Sequence, residues 1–323
     1  MSDRVGILNS EIHVNKNRLG KNTVWREIKR HKGLIGLAVP GLLFVIVFQY
    51  LPMFGLVLAF KDFNFGKGIW GSDWVGLNNF KFFFTSDAAL QVTRNTILLN
   101  LGFIFITNVV SISFALMLFE LSRKAVKLYQ TTLFFPYFLS WVVVSYVTYA
   151  LLNPQLGVIN NVLRQFGFTD INWYMEAKYW PIILSLAYLW KNVGYSTLIF
   201  YTGLMGIDKS YYEAAAIDGA SKWQQVRNIS LPLTMPLIIL ITLLQVGKIF
   251  YSDFGMFYFL TADSGALYAT TDVIDTYVYR ALRVSGDIGM ATAIGLYQSL
   301  VGFVLVITVN FIVRKVNKEN AIF

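Results

Sequence analysis

Along the chain, long apolar runs are separated by shorter polar stretches. Six runs are long enough to cross a hydrocarbon core of about 30 Å as helices, which takes roughly 20 residues: about 34–60, 95–119, 128–152, 179–205, 233–260 and 288–313. The pattern predicts an all-α, polytopic membrane protein with six transmembrane helices, and an even number of spans returns both ends to one side. Of 27 Lys and Arg, 17 fall in the N-terminal stretch, in the polar segments after the second and fourth runs, and after the last run. Only 8 fall in 61–94, 153–178 and 261–287. Lys and Arg stay preferentially on the cytoplasmic side, so residues 1–33 are expected as a basic cytoplasmic tail. Both termini are then cytoplasmic and those three loops lie outside a plasma (inner) membrane. Trp70, Trp74, Trp173, Tyr174 and Trp180 are expected to sit at the headgroups as interface anchors. Pro40, Pro52, Pro136, Pro181 and Pro236 lie within or at the ends of the runs and predict kinks.

Composition agrees with the membrane as solvent: 56% of the 323 residues are hydrophobic and 14% are charged. A net charge of +9 does not suggest nucleic acid, because no basic run interleaved with stacking aromatics lies outside the apolar segments. There is no cysteine, and both histidines, His13 and His31, fall in the polar N-terminal stretch, so no thiol chemistry and no His/Cys metal site is expected. The run 34–60 is too long for a signal-peptide core and lacks a small-residue cleavage site, so it is read as a retained span. No G-x4-G-K-[ST] loop occurs, so any ATP that is used must be hydrolysed by another polypeptide.

The segment between the fourth and fifth runs carries two helix start signals. Ser210 with Glu213, and Ser221 with Gln224, each have the spacing of a capping box. Asp218-Gly219 is a turn pair between them, and Pro232 marks the return to the fifth span. The expectation is a compact helix-turn-helix knob whose small residues, Ala214, Ala215, Ala216, Gly219 and Ala220, allow another protein to approach closely.

Glu213-Ala-Ala-x3-Gly219-x9-Ile229-x-Leu231-Pro232 resembles the EAA loop of binding-protein-dependent ABC importer permeases. Gln49-Tyr-Leu-Pro-Met-Phe-Gly, Ala59-Phe-Lys-Asp-Phe and Gly76-Leu-Asn-Asn-Phe look like the LplB-like polysaccharide branch of the maltose-type (MalF-like) permeases. The resemblance implies a type I importer permease fold over 34–323, with its core at about 90–315 and the coupling loop at 206–232. It implies a translocation subunit rather than an enzyme, with Glu213, Ala214, Ala215, Asp218, Gly219, Ile229, Leu231 and Pro232 meeting an ATP-hydrolysing subunit. Glu213 has two compatible uses, capping its own helix and meeting a basic residue of the ATPase. Implied partners are a second permease, two ABC ATPase subunits that bind the ATP and Mg, and an extracytoplasmic sugar-binding protein.

Polar residues inside spans are costly and raise a functional hypothesis. Tyr188, Asn192 and Tyr195 recur at helical spacing in the fourth run with Lys191 beside them, and Gln245, Lys248 and Ser252 recur in the fifth. Aromatic faces with hydrogen-bonding amides suit a sugar ring, and the resemblance points to the same two spans, with aromatics also at the positions of Trp190 and Tyr195. Lys191 and Lys248 depart from the family pattern; if they face the path they favour acidic, uronate-containing oligosaccharides. The competing use is ordinary packing, with Lys248 paired to Asp253 or to a partner subunit. An ion-coupled secondary sugar transporter is the alternative function, and Asp272 with Asp275 is a weak case for a membrane enzyme, their expected state being solvated loop charges.

Overall fold

The computed structural model describes residues 29–316; most of the expected basic tail 1–33, including His13, and the basic Lys318 lie outside the described residues. The first run forms helix α1, Lys32–Val45, which continues through a π-turn at Ile46–Tyr50 into a 3-10 segment at Leu51–Phe60. The change of pitch brackets Pro52, which has no N–H to donate and crowds the preceding turn. The stretch up to Leu56 forms one compact unit and the stretch from Val57 another.

In the second unit a short antiparallel pair, β1 Lys61–Asp62 and β2 Asp73–Trp74, precedes the long helix α2, Asp87–Phe119. The buried positions of α2 follow helical spacing, with Val92, then Leu99 and Phe103, then Ala115 entering three successive parts of the core. The same face buries Asn95, Asn108 and Ser111. In a lipid-embedded bundle such residues hold helices together: Asn108 Nδ2 donates to Gln245 Oε1 at 2.8 Å and Ser111 Oγ to the Val193 carbonyl at 3.2 Å.

The third run is not one straight span. Helix α3, Arg123–Phe134, gives way to a 3-10 turn at Phe135–Phe138 around Pro136, and α4, Trp141–Leu152, restarts from a Ser140 cap. The two arms meet at 96°. Helix α5, Trp180–Met205, is long enough to cross, although Lys191 and Asn192 at its middle make it less apolar than its neighbours. Helix α6, Lys209–Ile217, follows α5 and leads by a turn to a helix that runs unbroken from Lys222 to Val246, of which α7 is Leu231–Val246. Pro232 therefore sits inside a continuous helix, at the end of a π-turn over Val226–Ser230, rather than at a boundary.

The fifth run also ends earlier than expected. Helix α7 stops at Val246, residues 247–253 unwind, and α8, Phe254–Leu260, packs back against α4 from an Asp253 cap. The freed carbonyls are satisfied from elsewhere, as non-helical backbone at membrane depth requires: Asn100 Nδ2 donates to Ile249 O at 2.7 Å and Gln298 Nε2 to Phe250 O at 2.5 Å. Helix α9, Ile274–Arg283, precedes the last long apolar helix, α10, Ile288–Val316. Among the described residues, four helices are uniformly apolar spans and the bent pair α3–α4 makes a fifth; α5 is the sixth by length.

Two expectations about the outer side are corrected. Trp180 is fully buried and donates its indole N–H to the Trp173 carbonyl, so it belongs to the core rather than the headgroup layer, whereas Trp70 and Trp74 are exposed. Asp272 and Asp275 are not solvated loop charges. Asp272 is buried against Arg280 at 2.5 Å, and the same guanidinium takes Asp263 at 2.9 Å and lies 4.1 Å from the Tyr268 ring centroid. Burial raises the Asp272 carboxyl above the usual carboxylate range, against the opposing pull of Arg280. Asp275 Oδ2 accepts from Ser252 N at 2.8 Å and faces Gln298. Both carboxylates are spent on internal bonds.

Candidate functional site: a helix-turn-helix knob and a polar cavity

Local chemistry shapes the knob. Asp208, not Ser210, caps α6, its side chain accepting from Ser210 N at 2.9 Å. That bond favours the charged form and holds the Asp208 carboxyl below its ordinary range. The expected Ser210–Glu213 box is thus replaced by a cap two residues earlier, which leaves Glu213 exposed and without an ion pair among the described residues. At the other end Gly219 has φ +77°. Its N–H donates to Ala216 O at 3.1 Å while Ala220 N donates to Ala215 O at 2.9 Å. This is a complete Schellman ending, and the left-handed position it needs is one that glycine occupies without a Cβ penalty. The second box is present as expected, with Ser221 N to Gln224 Oε1 at 2.7 Å and Gln224 N to Ser221 Oγ at 3.4 Å.

The knob is fastened to the bundle above it. Tyr212 shares a hydrogen bond of 2.9 Å with Ser230, its ring packs on Phe119, and Lys222 pairs with Glu120 at 2.7 Å. Glu213, Ala214, Asp218, Gly219 and Pro232 are exposed, Ala215, Ile229 and Leu231 half-buried. Sequence reasoning missed the most prominent apolar groups: Ile217 and Trp223 are 87% and 70% exposed on the knob. The knob thus presents two large apolar side chains beside small ones, an exposed apolar patch of the kind found at interaction sites.

Half-way along α2 and α5 lies a polar cavity of about 240 Å³. Tyr188 and Phe103 stack at 4.7 Å to make one wall. Asn100, Asn192, Gln245, Tyr251, Lys248 and Asp253 supply polar groups. Asp253 is already committed, capping α8 through Met256 N and accepting the Trp141 indole N–H at 2.5 Å. Lys248 is exposed to the cavity and makes no ion pair among the described residues; the expected Lys248–Asp253 pair is absent. The unwinding after Val246 takes Lys248 and Ser252 off the helical stripe predicted for them, but Lys248 still reaches the same cavity as Gln245.

Four of the seven expected path residues therefore meet here: Tyr188, Asn192, Gln245 and Lys248. The other three do not. Trp190 faces an apolar groove between α4 and α5, Tyr195 stacks on Tyr137 at 4.8 Å, and Lys191 is buried against the bend between α3 and α4. Asn100, which lies inside an apolar run, was the available signal for a wall contributed by α2. A larger groove of about 640 Å³ near Phe114 and Leu133 is almost wholly apolar, and its one carboxylate, Glu120, is taken by Lys222.

Residues 107–318 match the family described as binding-protein-dependent transport system inner membrane component. The chain is 34% identical over 303 residues to Protein LplB of Bacillus subtilis (strain 168), covering 93% of this chain and 94% of that one. It is 33% identical over 294 residues to the polygalacturonan/rhamnogalacturonan transport system permease protein YteP of the same organism, covering 90% of each. Among solved structures it is similar, with a TM-score of 0.84 and 29% identity, to a chain of a bacterial ABC transporter involved in the import of the acidic polysaccharide alginate, over 91% of this chain and 99% of that one. The alginate transporter in complex with an alginate pentasaccharide-bound periplasmic protein matches with a TM-score of 0.82.

Proposed function

Because this chain belongs to the inner membrane components of binding-protein-dependent transport systems, we propose that it is a permease subunit of an ABC importer for acidic oligosaccharides, with the mid-membrane cavity as one wall of the sugar path. The observation that carries the substrate class is Lys248, at the depth of the helix midpoints with no carboxylate bound to it among the described residues. Such a charge is expensive unless it faces water or an anionic ligand, and a uronate carboxylate is that ligand. The Phe103–Tyr188 stack and the amides of Asn100 and Asn192 suit the apolar and polar faces of the same ring. Similarity to a polygalacturonan/rhamnogalacturonan permease and to an alginate importer supports this reading.

A cavity of about 240 Å³ is smaller than the roughly 300–1,000 Å³ usual for ligand sites, so a second permease chain completes the path. The knob of α6 and the helix from Lys222 docks on an ABC ATPase subunit, Glu213, Ile217 and Trp223 forming the contact. ATP and Mg are bound by that partner, and both termini lie on its side of the membrane. An extracytoplasmic binding protein delivers the sugar, as in the relative solved with its periplasmic protein.

The test compares uptake of oligogalacturonate with uptake of a neutral malto-oligosaccharide by vesicles containing the assembled importer, wild type and Lys248→Ala. Preference for oligogalacturonate in wild type, reduced about tenfold or more in the variant, is expected. Equal uptake of the two sugars, or an unchanged preference in Lys248→Ala, refutes the acidic-substrate reading.

A further inference from the structure

Lys191 has a different task from Lys248. It lies in the middle of α5, buried, and its ammonium donates to the carbonyl oxygens of Tyr137 at 2.8 Å and Leu139 at 2.5 Å. Both belong to the short stretch where the chain stops being α3 and has not yet become α4, so the break at Pro136 has left their carbonyls without α-helical partners. The same ammonium lies 5.6 Å from the Tyr137 ring centroid and 5.3 Å from that of Trp141, within the range of cation–π attraction. No carboxylate pairs with it among the described residues. A lysine at this depth that spends its charge on backbone oxygens and ring faces is holding the elbow together.

Two neighbours on α5 complete the grip. Gly194 comes so close to the other arm that an added Cβ would lie 2.0 Å from Leu133 O, and Tyr195 stacks on Tyr137 at 4.8 Å. Helix α5 thus touches the elbow before, within and after the bend. Beyond the bend Trp141, the first residue of α4, donates its indole N–H to Asp253 on the cavity rim. At its other end α5 runs directly into the knob.

We propose that Lys191 is a positioning residue for transport: it locks the α3–α4 elbow to α5, so that displacement of the knob is delivered through α5 and the elbow to Trp141 and Asp253 at the mouth of the cavity. The source of the displacement rests on the reading of the knob as an ATPase contact; the attachment of the elbow does not.

The chain has no cysteine of its own, so spin-label pairs can be placed on it in the importer complex assembled with cysteine-free partners. One pair joins α4 to α5 through the exposed Tyr146 and Ile182, and a second joins α5 to α10 through Ile182 and the exposed Phe303. Distances are read by double electron–electron resonance without nucleotide and after trapping with ATP and vanadate. In wild type the α4–α5 distance is expected to stay single and narrow in both states. Lys191→Met is expected to broaden it even without nucleotide, and to lower oligogalacturonate uptake per ATP hydrolysed about tenfold. A wild-type α4–α5 shift of more than about 5 Å between states, or a Lys191→Met complex with the narrow wild-type distribution and unchanged uptake per ATP, overturns the proposal. If Lys191→Met does not assemble, the wild-type comparison alone decides. Failure of the ATPase-contact reading is distinct, because it leaves the α5–α10 distance insensitive to nucleotide in every protein while the nucleotide-free α4–α5 comparison still stands.

Discussion

At the scale of single residues, Gly219 carries the plainest requirement. Its φ of +77° costs an L-residue about 1–2 kcal/mol, more for a β-branched one, and the two bonds that close α6 depend on it. Gly219→Val is expected to loosen the knob and reduce uptake per ATP hydrolysed while hydrolysis continues; uptake at the wild-type ratio would refute this. Glu213→Gln separates the two uses of that carboxylate. Because Asp208 supplies the cap, the substitution should leave the helix intact, so any loss of coupling reports lost contact with a partner cation. Arg280 is the opposite kind of residue, largely internal and paired within the chain. Arg280→Met leaves the Asp272 and Asp263 carboxylates close together and uncompensated, a loss of about 3–5 kcal/mol. Asp272 already titrates above its unfolded range, and without Arg280 it rises further. A raised carboxyl makes the folded state bind more protons than the unfolded one, so stability falls as pH rises between the two pKa values. The variant should therefore melt at a higher temperature near about pH 5 than near about pH 8, by fluorescence in detergent.

At the scale of elements, the informative features are the two interruptions. The elbow over 135–140 and the unwound stretch over 247–253 expose backbone carbonyls at membrane depth, and each is repaired by side chains from other helices: Lys191 in the first, Asn100 and Gln298 in the second. Gln298→Leu leaves the Phe250 carbonyl unsatisfied and is expected to cost about 1–3 kcal/mol. Breaking the exposed Lys222–Glu120 pair should cost less than about 1 kcal/mol. Melting of the two variants side by side checks the order; equal effects would mean that the Phe250 carbonyl finds another donor. The proline in each affected run warned of a kink. Pro136 made one and Pro236 did not interrupt α7, because a single proline removes one bond and the neighbours decide whether the helix continues.

At the scale of the molecule, the proposed role as a permease subunit predicts that the chain is recovered with partners. Purification in mild detergent is expected to bring down an ATPase with a phosphate-loop motif and a second permease. Recovery of the chain alone in transport-competent form would revive the ion-coupled alternative, which the family match leaves without support. Cysteines placed at Ile217 and Trp70, both exposed, test orientation: an impermeant thiol reagent should reach position 70 in intact cells and position 217 only after lysis.

How much was legible in advance follows from the range of each interaction. Membrane spans are written one-dimensionally, since about 20 apolar residues suffice, and the knob's ends depend on caps and a turn within a few residues of each other. The existence of the spans and of the knob could be read from the chain, down to Ser221, Gln224 and Gly219, whereas the first cap, the place of Pro232, the sharp bend of the third run and the early end of the fifth could not. Which polar side chains meet could not, because Tyr188, Gln245, Lys248 and Asn100 come together from elements up to 148 positions apart. The unwinding after Val246, not helical periodicity, sets where Lys248 lies. The two lysines looked alike in sequence, and burial alone separates them: packed against broken backbone, Lys191 satisfies carbonyls, whereas Lys248 is left open to the cavity.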